Sequence, residues 1–440
     1  MTVLKEDSSV RSHMVSIQMK PKENSLKHVA VTANMLEWYD FSISSFLAIT
    51  LGRLFFAGDD DFTAIVKSFS VFAVSYLMRP LGSMFFGYLG NRRGTGFALQ
   101  WATLLMAIPT TLIGLLPTYR DIGYAATALM VAFKLIQGFA AGGELPLSAY
   151  YVASRSTYQK QGIMTSLVHA GGAFGVLLAS LIAFLLGSLF SPSQIEGWAW
   201  RIPFLLGLPV LLVILNIRKG MIAAGVPGGG NRKKIERFGS TRMKVFVQGA
   251  LLVAAMEVGF YTLLVWLPNY AEMFLGYSRS DARLSDTLAL VCYIAAILTS
   301  GFFTKYIGHK GILVSSLGSI TVLSYPLFVV LLQLHAFSLL LSVQCVMALL
   351  YGSIGGVIMV VLYQLFEDNS KSFGFAITFT LPTAAFGGTA PLVCSYFVRE
   401  SHWLSFPAFY VSLFSVLALP AAFRLSDAAR DSSARDAAAA

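Results

Sequence analysis

The chain has 440 residues, of which 56% are hydrophobic and only 12% are charged, and its mean hydropathy is +0.68. Soluble domains carry about 25% charged residues, so this composition excludes an ordinary water-soluble protein. The net charge of +10 does not indicate a nucleic-acid partner, because the basic residues lie mainly in short segments between apolar runs rather than in one patch.

Apolar runs of about 20 residues recur along the whole chain, and each is long enough to cross the ~30 Å hydrocarbon layer of a membrane. Backbone polar groups cannot remain unpaired in lipid, so each run is predicted to be a helix. The sequence therefore predicts an all-α membrane protein, in contact with membrane lipids, with twelve transmembrane helices. In chain order, spans one to twelve are predicted at residues 28–50, 64–88, 97–117, 122–153, 162–190, 201–218, 244–270, 284–304, 311–333, 336–363, 373–397 and 403–423.

The positions of the basic residues predict the orientation of these spans. With the N-terminus inside, 23 of the 32 Lys and Arg residues fall in cytoplasmic segments, seven fall in outer segments, and Arg79 and Lys134 lie within spans. Cytoplasmic loops carry an excess of Lys and Arg, so both termini are predicted to be cytoplasmic. We expect a multi-pass protein of the bacterial inner membrane, whose first span is not removed as a signal peptide.

The polar segments divide the chain into predicted units. Residues 1–27 are predicted to be a cytoplasmic tail, and residues 28–218 a six-helix bundle. Residues 219–243 are rich in glycine and basic residues, which is typical of a flexible cytoplasmic linker. Residues 244–425 are predicted to form a second six-helix bundle, followed by a disordered cytoplasmic tail at 426–440.

A weak internal repeat supports two equivalent bundles. Similar glycine-containing turns follow spans two and eight, at the same point of each six-helix unit. They read Gly87-x-x-x-Asn91-Arg92-x-Gly94 and Gly301-x-x-x-Lys305-Tyr306-x-Gly308. Duplicated bundles around a midplane site are a common plan of secondary transporters.

Several stretches in order carry a family resemblance. They are residues 34–41 (NMLEWYDF), residues 79–94, which begin with RPLG and end with the first glycine turn, residues 137–144 (QGFAAGGE), residues 197–204 (GWAWRIPF) and residues 386–391 (FGGTAP). On these the chain resembles the major facilitator superfamily, and within it the metabolite:proton symporters, which include carriers for 2-oxoglutarate, citrate, shikimate and proline or betaine. The resemblance implies two pseudo-symmetric six-helix bundles and a gating motif at Gly87, Asn91, Arg92 and Gly94.

The chain also departs from the family pattern at the predicted cytoplasmic turns. Asn91 and Lys305 stand where relatives carry aspartate, and Ser154 and Gln364 stand where relatives carry glutamate. In relatives these charges form cytoplasmic ion pairs that keep the inner side closed. Two hypotheses follow from the resemblance: other contacts close this protein, or its conformational balance or activity differs from that of the family.

Two carboxylic acids lie near the predicted midplane of span one. Counting about 1.5 Å per residue from residue 28, Glu37 lies roughly 14 Å deep and Asp40 roughly 18 Å deep. Ionisable groups at this depth are costly and are candidates for function, and a carboxyl group without full solvation can exchange a proton near neutral pH. We predict that both acids take part in proton coupling; a structural hydrogen-bonded role is the alternative.

Lys134 lies near the middle of span four, where relatives carry arginine. In related sugar porters an acid on span one faces a base on span four and releases it on protonation. The resemblance therefore predicts that Asp40 and Lys134 form the proton-dependent switch pair, and a purely structural ion pair is the alternative.

Other polar and aromatic residues are candidates for binding the substrate. Arg79 can bind a substrate carboxylate in a bidentate contact, or it can tie span two to the following turn. Glu144 can line the site or pair helices, and Glu257 is the main candidate in the second half. The complete set of predicted substrate-binding residues is Trp38, Tyr39, Gln137, Glu144, Glu257, Tyr261 and Arg79. His169 is predicted to make a core hydrogen bond, with a proton relay as the alternative.

Other chemistries find no support in the sequence. The three cysteines lie singly in apolar runs without metal-ligand spacing, and no phosphate-binding loop or catalytic constellation is present. We expect no metal, no cofactor and no enzymatic activity. The sequence predicts a monomeric secondary transporter whose partners are protons and a small organic acid or zwitterion. An uncoupled facilitator or exchanger, and a transport-dead membrane sensor or scaffold, remain the alternatives.

Overall fold

The computed structural model describes residues 34–56, 61–209, 211–212, 240–334, 336–366 and 371–425, together with Thr32 and Asn216. The predicted tails at 1–27 and 426–440, and residues 219–239 of the predicted linker, lie outside the described residues.

The described part of the chain is helical and contains no strand, as expected where lipid leaves backbone groups no partner outside their own helix. The helices of the first half of the chain, residues 34–212, are Met35–Phe46, Ala48–Phe55, Asp61–Arg93, Thr95–Leu115, Tyr119–Ile122, Tyr124–Arg155, Tyr158–Leu189, Pro192–Gln194, the π-helical Ile195–Ala199, and Arg201–Leu205. The helices of the second half, residues 240–425, are Ser240–Phe260, the π-helical Tyr261–Trp266, Leu267–Phe274, Arg279–Ile307, His309–Gln333, Phe337–Leu365, Lys371–Pro382, the π-helical Thr383–Gly387, Ala390–Glu400 and Phe406–Phe423.

Nine stretches among the described residues are long and apolar enough to cross a membrane. They correspond to predicted spans three to five and seven to twelve. The remaining predicted spans correspond to the two helices within residues 35–55, to Asp61–Arg93, and to the helical segment that begins at Arg201. Large apolar side chains such as Phe184, Val322 and Leu392 stay exposed on the outer faces of these helices, which suits contact with lipid rather than water.

The two repeated turns share one backbone conformation. Gly94 precedes span three with φ +99° and ψ 144°, and Gly308 precedes span nine with φ +79° and ψ 155°. Residues other than glycine are strained at these angles. The equivalence of the two turns agrees with the internal repeat seen in the sequence.

Close helix crossings in this protein depend on glycine. A methyl group at Gly138 would overlap the backbone carbonyl of Ser75, and one at Gly142 would overlap that of Arg79. Spans two and four therefore pack backbone to backbone, which fixes the position of Arg79 relative to span four.

Three of the spans are interrupted along their length. Span one breaks at Leu47 between its two helices, and spans seven and eleven each contain a π-helical segment. Single π-helical turns are frequent at functional sites because they re-aim side chains. The π segments of spans seven and eleven lie beside the cavity described next.

Candidate functional site

A cavity lies between the two halves of the chain. It encloses about 690 Å³ of empty space, its opening to solvent included. The first half lines it with Asn34, Glu37, Trp38, Arg79, Leu145, Pro146, His169, Ala173 and Val176. The second half lines it with Met256, Glu257, Phe260, Leu290, Tyr293, Phe379, Thr380 and Thr383. Both halves thus contribute polar and charged groups to one central space.

An ion pair forms the first-half wall of the cavity. Arg79 Nη2 lies 3.0 Å from Glu37 Oε1, with the two side chains 11% and 3% exposed. The guanidinium group also stacks on the Tyr76 ring, 4.1 Å from its centroid. The Asn34 amide, oriented to satisfy its neighbours, donates to Glu37 and accepts a hydrogen bond from Trp38 Nε1 at 2.8 Å. Glu37 and Arg79 are therefore fixed in place and face the cavity together.

A second carboxylic acid lies on the opposite wall. Glu257 is 5% exposed, and its Oε1 accepts a hydrogen bond from Thr383 Oγ1 at 3.1 Å. Among the described side chains, no lysine or arginine lies within ion-pair distance of Glu257, although Arg79 and Glu37 are within electrostatic range. Among the described residues of the cavity wall, the carboxylic acids are Glu37 and Glu257, and the basic side chains are Arg79 and His169.

Aromatic rings join the halves on the predicted outer side of this ion pair. The Tyr76 and Tyr261 hydroxyl groups share a hydrogen bond of 2.8 Å, and Phe41 packs edge-on against Tyr76. Trp38 packs edge-on against Phe260 of span seven, with 5.6 Å between the ring centroids. We call these five rings the aromatic layer, and two of them, Trp38 and Phe260, line the cavity.

A second buried ion pair lies inside the first half. Lys134 Nζ donates to Asp40 Oδ2 at 2.9 Å and to Ser44 Oγ at 2.8 Å. Gln137 Nε2 donates to Asp40 Oδ1 at 2.9 Å and to Thr110 Oγ1 at 2.8 Å. All five side chains are buried, and none lines the cavity. The predicted contact between Asp40 and Lys134 is present; its role in proton coupling stays a prediction.

The other predicted substrate-binding residues lie at different distances from the cavity. Tyr39 points into the first half, where its hydroxyl donates to the Pro203 carbonyl at 2.6 Å. Glu144 accepts from Thr103 Oγ1 at 3.0 Å, and Tyr261 belongs to the aromatic layer. Glu37, Trp38, Arg79 and Glu257 are the predicted residues that line the cavity itself. A binding role for each residue in the predicted set stays a prediction.

Four polar residues of the cavity wall were not predicted as site residues from the sequence. They are Asn34, Tyr293, Thr380 and Thr383. Their side chains are uncharged, so their depth in the membrane does not by itself mark them as functional. Tyr293 is notable because its hydroxyl hydrogen-bonds His169 Nε2 at 3.0 Å across the two halves, which is the core hydrogen bond predicted for His169.

Comparison with known proteins accords with this architecture. The sequence model of the Major Facilitator Superfamily matches residues 31–391. The chain belongs to the Major Facilitator Superfamily. Its similarity to curated proteins and to solved structures extends over most of its length.

Two curated relatives of this superfamily member illustrate that similarity. It is 27% identical over 388 residues to a citrate–proton symporter of Klebsiella pneumoniae, covering 86% of this chain and 87% of the relative. It is also 27% identical over 409 residues to a proline/betaine transporter of Escherichia coli K12, covering 89% of this chain and 81% of the relative.

Solved structures share the major facilitator fold. The proton:xylose symporter XylE superposes with a TM-score of 0.71 at 18% identity, over 91% of this chain and 94% of that one. FucP in its outward conformation superposes with a TM-score of 0.67 at 14% identity, over 91% of this chain and 98% of that one. These likenesses show the fold of twelve transmembrane helices in two six-helix bundles.

In this major facilitator protein the two halves meet closely at the predicted cytoplasmic ends of their helices. A methyl group at Gly162 of span five would overlap Thr304 of span eight, and one at Gly301 would overlap Ser166. Gln364 Nε2 donates to Gln161 Oε1 at 3.4 Å. These contacts join the predicted cytoplasmic ends of spans five, eight and ten.

The predicted gating motif lies beside these contacts between the two halves. Gly87 of span two approaches span eleven so closely that an added methyl group would lie 3.0 Å from the Phe373 Cα atom. Arg92 stacks over the Tyr88 ring at 5.0 Å, Gly94 supplies the turn, and Asn91 lies at the end of the same helix. The motif thus lies where spans two and eleven meet, and its gating role stays a prediction.

Proposed function

We propose that this protein is a secondary active transporter that couples protons to the import of a small organic acid or zwitterion by alternating access. The observation that carries the proposal is the central cavity, which contains the Glu37–Arg79 pair on one wall and Glu257 on the other. Buried charges between two bundles are costly and are typical of ion and substrate pathways. Residues 28–218 and 244–425 would be the two moving bundles.

The Asp40–Lys134 pair supplies the proposed proton switch. In a buried pair, each charge is stabilised by the other, and removing one charge leaves its partner unpaired at considerable cost. Protonation of Asp40 therefore weakens its interaction with Lys134, whose ammonium group keeps its hydrogen bond to the Ser44 hydroxyl. Because Lys134 joins span four to span one, this change alters the contact between two helices that flank the cavity.

The cavity chemistry fits a substrate with a carboxylate. Arg79 provides guanidinium donors with a geometry that matches a carboxylate, and it lies at the cavity wall. Glu257, with the Trp38 and Phe260 rings nearby, suits a positively charged nitrogen, because aromatic faces attract cations. A zwitterion satisfies both walls, whereas an organic acid uses Arg79 alone.

The relatives support the same class of substrate. Citrate is an organic acid, and proline and betaine are zwitterions; these are the substrates printed in the names of the relatives described above. The proton is named as the coupling ion of the citrate relative. These names favour a proton-coupled carrier for small carboxylates without selecting one substrate.

The experiment uses purified full-length protein in liposomes with an acidic exterior. Labelled citrate, L-proline and glycine betaine are the probes. We expect the protein to accumulate at least one of them against its gradient, and an uncoupler to abolish the accumulation. Asp40→Asn is expected to abolish accumulation, and Glu196→Gln on the exposed outer surface serves as the matched control. Undiminished accumulation by Asp40→Asn would overturn the assignment of Asp40.

An uncoupled facilitator or exchanger is the second candidate. The observation that favours it is the predicted inner closure, which is built from glycine crossings and the Gln161–Gln364 contact rather than from the family's full set of ion pairs. Counterflow that survives an uncoupler, together with no net accumulation by the unaltered protein, would identify this candidate. A transport-dead sensor would show neither counterflow nor accumulation.

Orientation and assembly complete the proposal. The excess of basic residues in the predicted inner segments supports a bacterial inner-membrane protein with both termini cytoplasmic. We place the substrate path within one chain, because both walls of the cavity come from the same chain, so a monomer suffices for transport. Alkylation of single cysteines introduced into predicted loops, from one side of the membrane at a time, tests the orientation.

A further inference from the structure

We infer that the substrate carboxylate and Glu37 compete for Arg79, so that a proton on Glu37 and a carboxylate on Arg79 bind together. This inference rests on the proposed function and assigns a second coupling step to the cavity wall. It separates Glu37, which faces the substrate space, from Asp40, which lies one helical turn further along span one and outside that space.

The geometry of Arg79 leaves limited room for a second anion. A guanidinium group offers five N–H donors in one plane. Nη2 is directed at Glu37 at 3.0 Å, and one face of the group is covered by the Tyr76 ring at 4.1 Å. A substrate carboxylate must therefore approach the edge of the same plane, close to Glu37. Two carboxylates that share one cation in a buried site repel each other, and a proton on one of them removes the repulsion.

The other groups around Glu37 strengthen this competition. The titratable or charged groups that face it are Arg79 and Tyr76 of span two, Glu144 of span four, His169 of span five, Glu257 of span seven and Tyr293 of span eight. Within the described part of the chain, Arg79 is the one permanent cation among them. A substrate carboxylate added to this set raises the excess of negative charge unless a proton enters with it.

Asn34 keeps Glu37 in place when its ion pair is lost. Its amide nitrogen donates to the second oxygen of Glu37, while its oxygen is held by Trp38. Glu37 can therefore give up Arg79 to the substrate without leaving the wall. The proton and the substrate then occupy adjacent positions in one cavity, and linkage requires that each raises the affinity for the other.

Equilibrium binding to purified full-length protein tests the inference. Affinity for citrate, L-proline and glycine betaine is measured by calorimetry across neutral pH, in pairs of buffers with different ionisation enthalpies. For the unaltered protein, we expect binding of at least one probe to take up a proton, and its affinity to fall by up to about tenfold per pH unit as pH rises, the limit for one linked proton. Binding without proton uptake would overturn the inference, and this measurement needs no variant.

The variant Glu37→Gln keeps the shape of the side chain and removes the titrating group. We expect it to bind the same probe with an affinity that no longer depends on pH and with no proton uptake. Glu196→Gln makes the same change on the exposed surface and is expected to retain the pH dependence. Retention of the pH dependence by Glu37→Gln would overturn the inference, as would failure of all three carboxylate probes to bind the unaltered protein.

The two proposals fail in different ways. If a proton gradient drives accumulation of a probe but Glu37→Gln keeps pH-dependent binding, the proposed function stands and the inference fails. If the unaltered protein binds a probe with proton uptake but accumulates none of the probes, the inference stands as a binding property and the proposed function fails.

Discussion

The Lys134 ammonium group lies 2.9 Å from the Asp40 carboxylate, and both side chains are buried between spans one and four. The pair does not line the cavity between the two halves. Glu37, one turn earlier on the same helix, lines that cavity together with Arg79. Span one therefore presents one acid to its own bundle and one to the substrate space. This division suggests that proton binding affects both helix packing and substrate recognition.

Loss of one partner of the Asp40–Lys134 pair is expected to destabilise the protein more than loss of both. Lys134→Gln leaves the Asp40 carboxylate buried without its cation, and breaking a buried pair in this way costs about 3–5 kcal/mol. Adding Asp40→Asn removes the uncompensated charge, so the double variant is expected to recover most of the lost free energy of unfolding. Denaturant unfolding in detergent measures the free energy of unfolding of the single variant and of the double variant.

The exposed Arg53–Glu196 pair provides the control for this comparison of single and double variants. Its side chains are 45% and 42% exposed, and exposed pairs contribute about 0–1 kcal/mol, so Arg53→Gln is expected to change the free energy of unfolding little. Equal destabilisation by Lys134→Gln alone and by the double variant would contradict a charged pair in the core.

Glu257 is expected to determine the charge of the preferred substrate. Its carboxylate has no ion-pair partner among the described side chains and lies at the cavity wall. Glu257→Gln is expected to weaken binding of L-proline by about tenfold or more, because the proline ammonium can donate to the carboxylate and a hydrogen bond to a charged group contributes about 1.5–3 kcal/mol. Citrate, which has no cation, is expected to bind at least as well as before. Parallel weakening of both ligands would indicate a structural role instead.

The crossing of spans five and eight is expected to hold the predicted inner side closed. Gly162→Ala places a methyl group against Thr304, whereas Gly187→Ala on the same helix meets no atom within 4 Å. We expect the first change to open the inner side and reduce accumulation, and the second to leave both unaltered. Alkylation of a cysteine substituted for Gln364, in a background without native cysteines, reports the opening. Equal alkylation in both glycine variants would contradict this role.

Hydropathy was sufficient to predict the helical spans, whereas the arrangement in two bundles was predicted from the internal repeat and the family resemblance. Among the described residues, nine of the twelve predicted runs correspond to helices long and apolar enough to cross a membrane, because lipid leaves a long apolar segment few other conformations. The two glycine turns at Gly94 and Gly308 adopt the same positive φ, as the repeat in the sequence suggested. Breaks within helices, such as the π-helical segment Tyr261–Trp266, depend on packing between spans and had no signal in the sequence.

The candidate site could be predicted only in part, because depth along a helix does not give rotation about its axis. Trp38, Tyr39 and Asp40 are consecutive and lie at similar depth, yet Trp38 lines the cavity while Tyr39 bonds to Pro203 and Asp40 to Lys134. Consecutive helical residues point about 100° apart. Which direction faces the second half is decided by the packing of the two bundles.

Proton movement driven by substrate is the most direct test of the account. Full-length protein is placed in liposomes that contain a pH-sensitive dye, with no initial pH gradient, and citrate, L-proline or glycine betaine is added outside. The account predicts that at least one of these carboxylates acidifies the interior, and that Asp40→Asn and Glu37→Gln abolish the acidification while Glu196→Gln does not. Uptake of a labelled carboxylate by the unaltered protein without any acidification would contradict proton-coupled transport.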